Sequence, residues 1–258
     1  MKKISKAQIK TVRSLQQKKY RDELGLFVAE GEKCVSELSK AFELVYRIQR
    51  ADCISDTEQT DTLSATLTEI EQMSGLRTPQ GVIGVFKKRL IEDRESETAD
   101  LMLALDGVQD PGNLGTIIRT SDWFGVHDIF CSQDTADCFN PKVVQATMGA
   151  LARVRVHYVD LPAWLSVVSR QHSDVRIYGT LLEGKDMYEV LRSEGVKELG
   201  SEGIIVMGNE GNGISLEVRR LITHPILIPS YPKDAETSES LNVSIATAVV
   251  LAEFRRPR

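Results

Sequence analysis

Three glycines, two asparagines and one glutamate follow the apolar run GIIVM in the stretch GNEGNGIS, residues 208–215. Glycine lets a backbone approach a ligand closely and point its N–H groups at it. The spacing G-x-x-G-x-G matches neither the dinucleotide fingerprint nor the triphosphate-binding loop, and no Lys is present. The carboxylate of Glu210 would repel a phosphate and suits a hydroxyl, an amine or a cation. The stretch is either a plain turn, since Gly and Asn tolerate positive φ, or a loop that binds such a ligand.

Two further stretches combine polar side chains with predicted helices. In LDGVQDPGNLGTIIRTSDWFGV, Asn113 occupies an expected N-cap position and Arg119 lies off the apolar stripe of the helix. That stripe consists of Leu114, Ile117, Ile118 and Ser121. In ILIPS followed by ESLNVSIATAVVLAEF, Asn242 opens an apolar helix, where its side chain must find a partner.

The elements around these stretches alternate between strands and helices. Strands are predicted at Leu101 to Asp106, Asp128 to Cys131, Arg176 to Leu181, Gly203 to Met207 and Pro225 to Ile228. Helices are predicted near Asn113 to Phe124, Pro141 to Leu151, Leu161 to Arg170, Leu216 to Ile222 and Leu241 to Phe254. This order predicts an α/β fold with a mostly parallel sheet and helices on both faces. Ligands of such sheets bind at the carboxyl ends of the strands, where GNEGNG falls.

The last predicted helix is apolar nearly all the way round, so we expect it to be buried on most sides. A helix of this kind close to the end of the sequence needs either a chain wrapped around it or a second subunit that covers it.

Composition and cysteine usage fit an ordinary globular protein. The sequence has 258 residues, 27% charged and 41% hydrophobic, with no run long enough for a membrane span and no signal-peptide segment in MKKISKAQIK. We therefore expect a cytoplasmic protein. The four cysteines and four histidines are scattered, so neither a zinc site nor a disulfide framework is expected. The polar stretch 87–100 is predicted to be a linker between an N-terminal domain, 1–86, and a C-terminal domain, 101–258.

The net charge of −5 conceals a basic N-terminus, because residues 1–21 contain eight Lys or Arg and no acid. In a continuous helix, one arc would carry Lys2, Lys6, Lys10, Arg13 and Arg21, with Ile4, Val12 and Leu15 on the other side. This face is either a solvated helix surface or a surface that contacts nucleic-acid phosphates. The candidate RNA-binding residues are Lys6, Lys10, Arg13, Lys18, Lys19 and Arg21.

Together the three stretches resemble, in order, the motifs of the SpoU/TrmH family of RNA ribose 2′-O-methyltransferases, members of the SPOUT class. QKKYRDELGLFVAEGEKCVSEL and RTPQGVIGVF resemble the small α/β accessory domain of that family, which binds the RNA substrate. The resemblance therefore spans nearly the whole chain. It implies a sheet whose C-terminal segment forms a deep trefoil knot, a homodimer through the knotted domain, and S-adenosylmethionine as the methyl donor.

The resemblance also implies roles for single residues. Methyl-donor contacts are expected at Gly208, Ile228, Leu241, Thr180, Leu182 and Gly213. The implied catalytic residues are Arg119, Asn113, Glu210 and Asn242. A guanidinium holds its proton above about pH 12, so Arg119 is expected to bind the phosphate of the target nucleotide and stabilise charge on the attacking oxygen. Asn113 and Asn242 would orient substrate and backbone, and Glu210 would fix the loop or accept hydrogen bonds.

The third motif departs from the family pattern, because SYPKDAETSES is long, acidic and without glycine. The resemblance therefore assigns no donor contacts between Ser230 and Ser240, and it assigns no role to the RRPR tail. The accessory domain favours ribosomal RNA, with transfer RNA as the alternative. A non-catalytic RNA-binding or assembly factor with this fold would be expected to have lost some of the four implied catalytic residues, and all four are present. A nicotinamide-dependent oxidoreductase would need G-x-G-x-x-G after the first strand, and DGVQDPGNLG does not supply it.

Overall fold

The computed structural model describes residues 2–53, 62–89, 101–193, 203–232 and 240–256. The chain forms two compact units, one made of residues 1–90 and 137–153, the other of residues 91–136 and 154–258. The predicted linker, 87–100, lies outside the described residues from position 90 onward. Within the described ranges, no helix is long and apolar enough to cross a membrane.

The first unit has a five-stranded mixed sheet with the order β1-β4-β3-β5-β2. Its strands are β1 (Lys2–Lys3), β2 (Leu26–Glu30), β3 (Leu44–Arg50), β4 (Thr62–Ala65) and β5 (Val82–Lys87). Its helices are α1 (Lys6–Ser14), α2 (Lys18–Leu24), α3 (Glu32–Leu38), α4 (Leu67–Met73) and α6 (Pro141–Thr147), with 3₁₀ turns at Ala51–Cys53 and Ala150–Ala152. The predicted small α/β domain at the N-terminus is confirmed.

The basic N-terminal segment forms two helices instead of one. Ser5 and Gln8 form a capping box that starts α1. Residues 15–17 are not helical, and α2 ends at Gly25, whose φ is 63°. The predicted basic arc assumed one continuous helix, so residues before and after the interruption do not share one face. Arg21 is therefore not on the exposed face, where it was expected.

Arg21 is instead a buried structural residue, 1% exposed. Its Nη2 and Nε donate to Asp137 Oδ2 at 2.7 and 3.1 Å, and its Nη1 donates to the backbone oxygens of Leu15 and Gln16 at 2.9 and 3.0 Å. The prediction that Arg21 binds RNA is wrong, because these bonds occupy the guanidinium inside the unit.

The segment 137–153 lies in sequence between two strands of the second unit, yet it packs within the first. The Phe139 ring lies 4.8 Å from that of Phe27, and Cys34 is buried with its thiol 3.9 Å from the Val144 carbonyl oxygen. The predicted domain boundaries, 101–258, placed this segment in the second unit. Local sequence patterns cannot show that a segment packs against residues more than a hundred positions away.

The second unit has a six-stranded, all-parallel sheet with the order β11-β9-β10-β6-β7-β8. Its strands are β6 (Leu101–Asp106), β7 (Asp128–Cys131), β8 (Arg155–Tyr158), β9 (Ile177–Asp186), β10 (Gly203–Gly208) and β11 (His224–Leu227). Its helices are α5 (Pro111–Trp123), α7 (Leu161–Gln171), α8 (Met187–Ser193), α9 (Leu216–Arg219) and α10 (Val243–Phe254).

Both faces of this sheet are covered, as predicted. Met102 and Ala104 belong to the core shared with α7 and α9, whereas the alternate residues Leu103 and Leu105 point to the opposite face and are also fully buried. Helices α5 and α10 contact each other, and α10 contacts β10. The α/β class with a mostly parallel sheet is confirmed. The expected knot depends on the path through residues 233–239, which lie outside the described residues, and it stays a prediction.

Three local features differ from the sequence-based expectations. Strand β8 was not predicted, because it has only four residues, lies at a sheet edge and carries charged and polar side chains. Helix α8 was not predicted either. Strand β9 continues to Asp186. It pairs with β11 through Gly179 and then again through Lys185, which leaves residues 180–184 looped out of the ladder.

Helix α10 is half covered instead of buried on most sides. Its buried positions are Val243, Ser244, Thr247, Val250, Leu251 and Phe254, whereas Ile245 is 53% exposed. Within the single chain the helix is therefore not buried on most sides, and the alternative of a second subunit that covers it stays a prediction. The uncovered side is nonetheless apolar, because it carries Ile245, Ala248, Val249 and Ala252.

Candidate active site

The candidate site lies at the carboxyl edge of the parallel sheet in the second unit. Strands β9, β10 and β6 are neighbours, so the loops that follow them leave the sheet at the same edge. The β6–β10 ladder ends with the pair Asp106 and Gly208. GNEGNGIS begins at Gly208, and Asp106 is the second residue of LDGVQDPGNLG. The sheet therefore brings together two motifs that lie about a hundred positions apart in the sequence.

The glycine loop folds back onto the end of its own strand. A Cβ atom at Gly208 would lie 2.4 Å from the carbonyl carbon of Gly213 and 2.5 Å from the nitrogen of Ile214, so only glycine fits there. Gly213 has a φ of 67°. The loop closes through two backbone hydrogen bonds between Asn209 and Gly213, at 2.8 and 3.0 Å. The stretch is thus a tight turn with a fixed shape, and it presents Glu210 at its tip.

Helix α5 starts two residues earlier than the motif suggested. Asp110 is its N-cap and accepts a hydrogen bond from the Asn113 backbone N–H at 2.8 Å, with Pro111 in the first turn. The prediction that Asn113 caps this helix is wrong. Because Asp110 does so, the Asn113 side chain in the first turn is left for other contacts.

Asn113, Glu210 and Asn242 form one hydrogen-bonded chain across the three motifs. The Asn113 Nδ2 donates to Glu210 Oε1, and the Asn113 Oδ1 accepts a hydrogen bond of 3.0 Å from Asn242 Nδ2. Asn242 is the N-cap of α10, the helix that it was expected to open. Its Oδ1 accepts from the backbone N–H groups of Ser244 and Ile245 at 3.0 and 3.3 Å. An anionic group is thereby held beside two oriented amides at the sheet edge.

Arg119 lies on the same helix as Asn113 but outside this chain. The two residues are six positions apart, roughly 9 Å along the helix axis. The Arg119 side chain is exposed and has no hydrogen-bond or ion-pair partner among the described residues. Its cation is therefore available to a ligand, and Trp123, one turn further on, is 85% exposed.

The predicted donor-binding residues lie in loops of the same unit. Thr180 and Leu182 are in the looped-out part of β9, Gly208 ends β10, and Ile228 directly follows β11. Leu182 and Leu241 expose 73% and 48% of their surface, apolar area that a bound ligand would cover. The Thr180 hydroxyl donates to the Val206 carbonyl oxygen at 3.3 Å, which fixes the start of its loop to the neighbouring strand.

Some residues of the site were missed in the sequence. Asn209 and Asp106 were treated as turn and strand residues, yet the Asn209 amide bridges two loops and the Asp106 carboxylate accepts from the Ser215 N–H at 2.7 Å. Ser132 accepts a hydrogen bond from the Gly107 N–H at 2.8 Å. A polar residue directly after an apolar strand was the available signal. In the described part of the chain, no group of three His, Cys, Asp or Glu side chains is arranged to hold a metal ion.

The basic residues predicted to contact RNA lie in the first unit. Lys6, Lys10, Arg13, Lys18 and Lys19 are exposed, in contrast to Arg21. Lys18 pairs with Asp22 at 2.8 Å. In the C-terminal tail, the Arg255 Nε donates to the Phe124 carbonyl oxygen at 3.1 Å, so this arginine caps the end of α5, and residues 257–258 lie outside the described part.

Comparisons with known proteins identify the families to which the two parts of the chain are similar. Residues 100–252 match the SpoU rRNA Methylase family, and residues 6–84 match the MRM3-like substrate binding domain. The 23S rRNA (guanosine(2553)-2′-O)-methyltransferase RlmP of Bacillus subtilis is 30% identical, over 96% of this chain and 95% of that protein. The mitochondrial rRNA methyltransferase 3 of Mus musculus is 24% identical, over 92% of this chain and 69% of that protein.

Solved structures give the same result. A protein of the TrmH family of RNA methyltransferases from Porphyromonas gingivalis superposes with a TM-score of 0.84 and 38% identity, over 98% of both chains. An AdoMet-bound rRNA methyltransferase from Sinorhizobium meliloti superposes with a TM-score of 0.81 and 29% identity, over 99% of this chain and 97% of that one. Because the SpoU rRNA Methylase match covers more than half of the chain, and RlmP is 30% identical over nearly its whole length, the chain belongs to the SpoU rRNA methylase family.

Proposed function

We propose that this protein transfers a methyl group from S-adenosylmethionine to a ribose 2′-hydroxyl of ribosomal RNA. The observation that carries the proposal is the hydrogen-bonded chain of Asn113, Glu210 and Asn242, because it joins all three family motifs at the ligand-binding edge of the sheet. Ribosomal RNA is favoured over transfer RNA because RlmP and the Mus musculus relative are named as rRNA methyltransferases.

The donor fits the residues at this edge. Gly208 lets the loop fold back tightly on the end of β10, which fixes the backbone groups at this edge, and Leu182 and Leu241 offer apolar surface for the adenine of the donor. The edge also carries the Glu210 carboxylate and no lysine in the glycine loop, which suits a cationic ligand without phosphates. When bound, S-adenosylmethionine would supply a methyl group on a positively charged sulfonium, whose sulfur leaves readily as a neutral thioether.

The chain's own residues must then position and activate a ribose hydroxyl, which is a poor nucleophile until its proton is being removed. The exposed guanidinium of Arg119 binds the phosphate of the target nucleotide and stabilises negative charge on the attacking oxygen. Asn113 and Asn242 orient the substrate, and Glu210 holds Asn113 in place. Positioning supplies much of the acceleration.

RNA is held in addition by the first unit. Exposed Lys6, Lys10, Arg13, Lys18 and Lys19 give an anionic protein the local positive surface that RNA binding requires. An open groove of about 870 Å³, lined in part by Lys10, Arg13 and Tyr20, runs along this surface. Residues 1–86, together with the segment 137–153, thus form the RNA-binding unit of the enzyme. The cytoplasmic location stays a prediction.

The active form is a homodimer through the second unit. Helices α5 and α10 run in parallel, because Asn242 bonds Asn113 at one end and Arg255 bonds the Phe124 carbonyl oxygen at the other. We take as the interface the uncovered apolar side of α10 and the exposed indole of Trp123 on the adjacent α5. A second copy that covers this surface would bury the apolar side of α10 that the single chain leaves open.

The proposal is tested by mass-spectrometric mapping of ribose methylation in ribosomal and transfer RNA from a strain without the protein. We expect one 2′-O-methyl group to be missing from ribosomal RNA and to return when the wild-type protein is supplied. A group missing from transfer RNA would reassign the substrate. No change in either pool would contradict the proposed reaction and favour an assembly factor.

Arg119→Ala, with Arg220→Ala as control, separates chemistry from donor binding. Arg220 is also an exposed arginine of the second unit, at the end of α9. We expect Arg119→Ala to keep S-adenosylmethionine binding, measured calorimetrically, and to lose methyl transfer by roughly 100-fold or more. Equal loss of binding and transfer would show that Arg119 is structural.

A further inference from the structure

The Asn209 side chain joins two loops that leave the sheet from neighbouring strands. Its Nδ2 donates to the Gly107 carbonyl oxygen at 2.7 Å, and its Oδ1 accepts from the N–H groups of Gly211 and Asn212 at 2.8 and 3.1 Å. One side chain therefore ties the turn after β6 to the glycine loop after β10. It does so just beyond the point where the ladder between the two strands ends.

The turn that Asn209 holds is itself fixed. Gly107 has a φ of 71°, and its N–H donates to Ser132 Oγ at 2.8 Å. Ser132 in turn donates to Asp134 Oδ1 at 2.6 Å. The far end of the glycine loop is anchored by the Ser215 N–H bond to Asp106. The loop is thus attached to the end of β6 at both of its ends, and Asn209 is the attachment nearest to Glu210.

Glu210 follows Asn209 directly in the chain, so the position of its carboxylate depends on the Asn209 backbone. That carboxylate accepts from Asn113, which in turn accepts from Asn242. Movement of the loop by about 1 Å would shift the whole chain of hydrogen bonds, and misplacement on that scale costs up to about 100-fold in rate.

We propose that Asn209 is a positioning residue for methyl transfer, which acts through Glu210. The inference rests on the proposed function. Only a side chain with a donor and an acceptor of this size satisfies both loops. Aspartate has the same shape and keeps the acceptor for the two N–H groups, but its second oxygen would face the Gly107 carbonyl oxygen without a proton between them.

The test uses the full-length protein with S-adenosylmethionine and ribosomal RNA from a strain that lacks the protein. The variants are Asn209→Asp and Asn209→Ala, and the matched control is Asn212→Ala in the same loop, whose exposed side chain has no partner among the described residues. We expect kcat to fall roughly 10- to 100-fold in both Asn209 variants, with the KM for RNA unchanged within about twofold. The control keeps the wild-type kcat.

A double variant isolates the route through Glu210. If Asn209 acts through Glu210, then Asn209→Ala adds no further loss of kcat to Glu210→Ala, because the residue that it positions is already absent. Losses that multiply would overturn the inference, as would a wild-type kcat in Asn209→Asp. If Asn209→Ala fails to fold, the isosteric aspartate variant decides. A wild-type protein that methylates no RNA would contradict the proposed function and, with it, the inference. An active wild type whose Asn209 variants are equally active would contradict the inference alone.

Discussion

Replacing the buried Arg21 by methionine tests a buried ion pair in the first unit. Arg21 makes two hydrogen bonds to Asp137 and two to backbone carbonyls, and its side chain is 2% exposed against 11% for that of Asp137. Breaking a buried pair costs about 3–5 kcal/mol, because one charge remains buried without a partner. Since Asp137 is slightly exposed, we take the lower end, about 3 kcal/mol. For a chain of this size that corresponds to a fall in Tm of about 6–12 °C.

The assay is thermal and urea unfolding followed by circular dichroism, with Lys19→Met as the control. Lys19 is an exposed cation on the same helix, so its replacement should change the free energy of unfolding by less than about 0.5 kcal/mol. Arg21→Met with Asp137→Leu should recover part of the loss, because neither charge is then buried, whereas the Leu15 and Gln16 carbonyl oxygens and the Phe139 N–H still lack their partners. A Tm of Arg21→Met within a degree or two of wild type would refute the reasoning. A stable Arg21→Met that bound RNA more weakly than Lys19→Met would return Arg21 to the RNA-binding surface.

Three further changes have defined outcomes. Gly208→Ala should cost about 1–3 kcal/mol in urea unfolding and lower S-adenosylmethionine affinity, because its Cβ would meet the Gly213 backbone at 2.4 Å and force the loop out of shape. Gly211→Ala, with 3.4 Å to its nearest neighbour, is the control, and equal effects of the two variants would contradict the argument that the loop must fold tightly at Gly208. Burial acts to raise the pKa of Asp128, but hydrogen bonds from His157 and a neighbouring arginine outweigh it and lower the pKa from 3.8 to about 2. The stabilisation from the ionised Asp128 carboxylate is therefore complete above pH 3.8 and is lost as the pH falls towards 2. The difference in urea midpoint between wild type and Asp128→Asn should disappear over that range. A difference that does not change with pH would show that the charge of this carboxylate does not contribute to stability. Trp123→Glu should convert a dimer of twice the 28.7 kDa chain mass into a monomer in sedimentation experiments, and a variant that still sediments as a dimer would place the interface elsewhere.

Local patterns in the sequence predicted most elements of the second unit, with the exception of β8 and α8. Strands β6 and β7 have the predicted limits, and Asn242 caps α10, because apolar runs and capping side chains act over a few residues. Where several local signals compete, the prediction failed. Asp110, Pro111 and Asn113 can all mark a helix start, and the structure uses the first two for that purpose and releases Asn113 for the site.

The sequence by itself determined the α/β class, the strand ends at which the motifs lie and the family to which they belong. The tertiary structure alone decided which polar side chains meet. Asn113, Glu210 and Asn242 are far apart in the chain and come together because parallel strands leave a sheet at one edge. Arg21 looked like a surface cation, and its burial followed from a partner 116 residues away. Periodicity records which side of an element is apolar, whereas the partner of a charge is set by long-range packing that no local pattern contains.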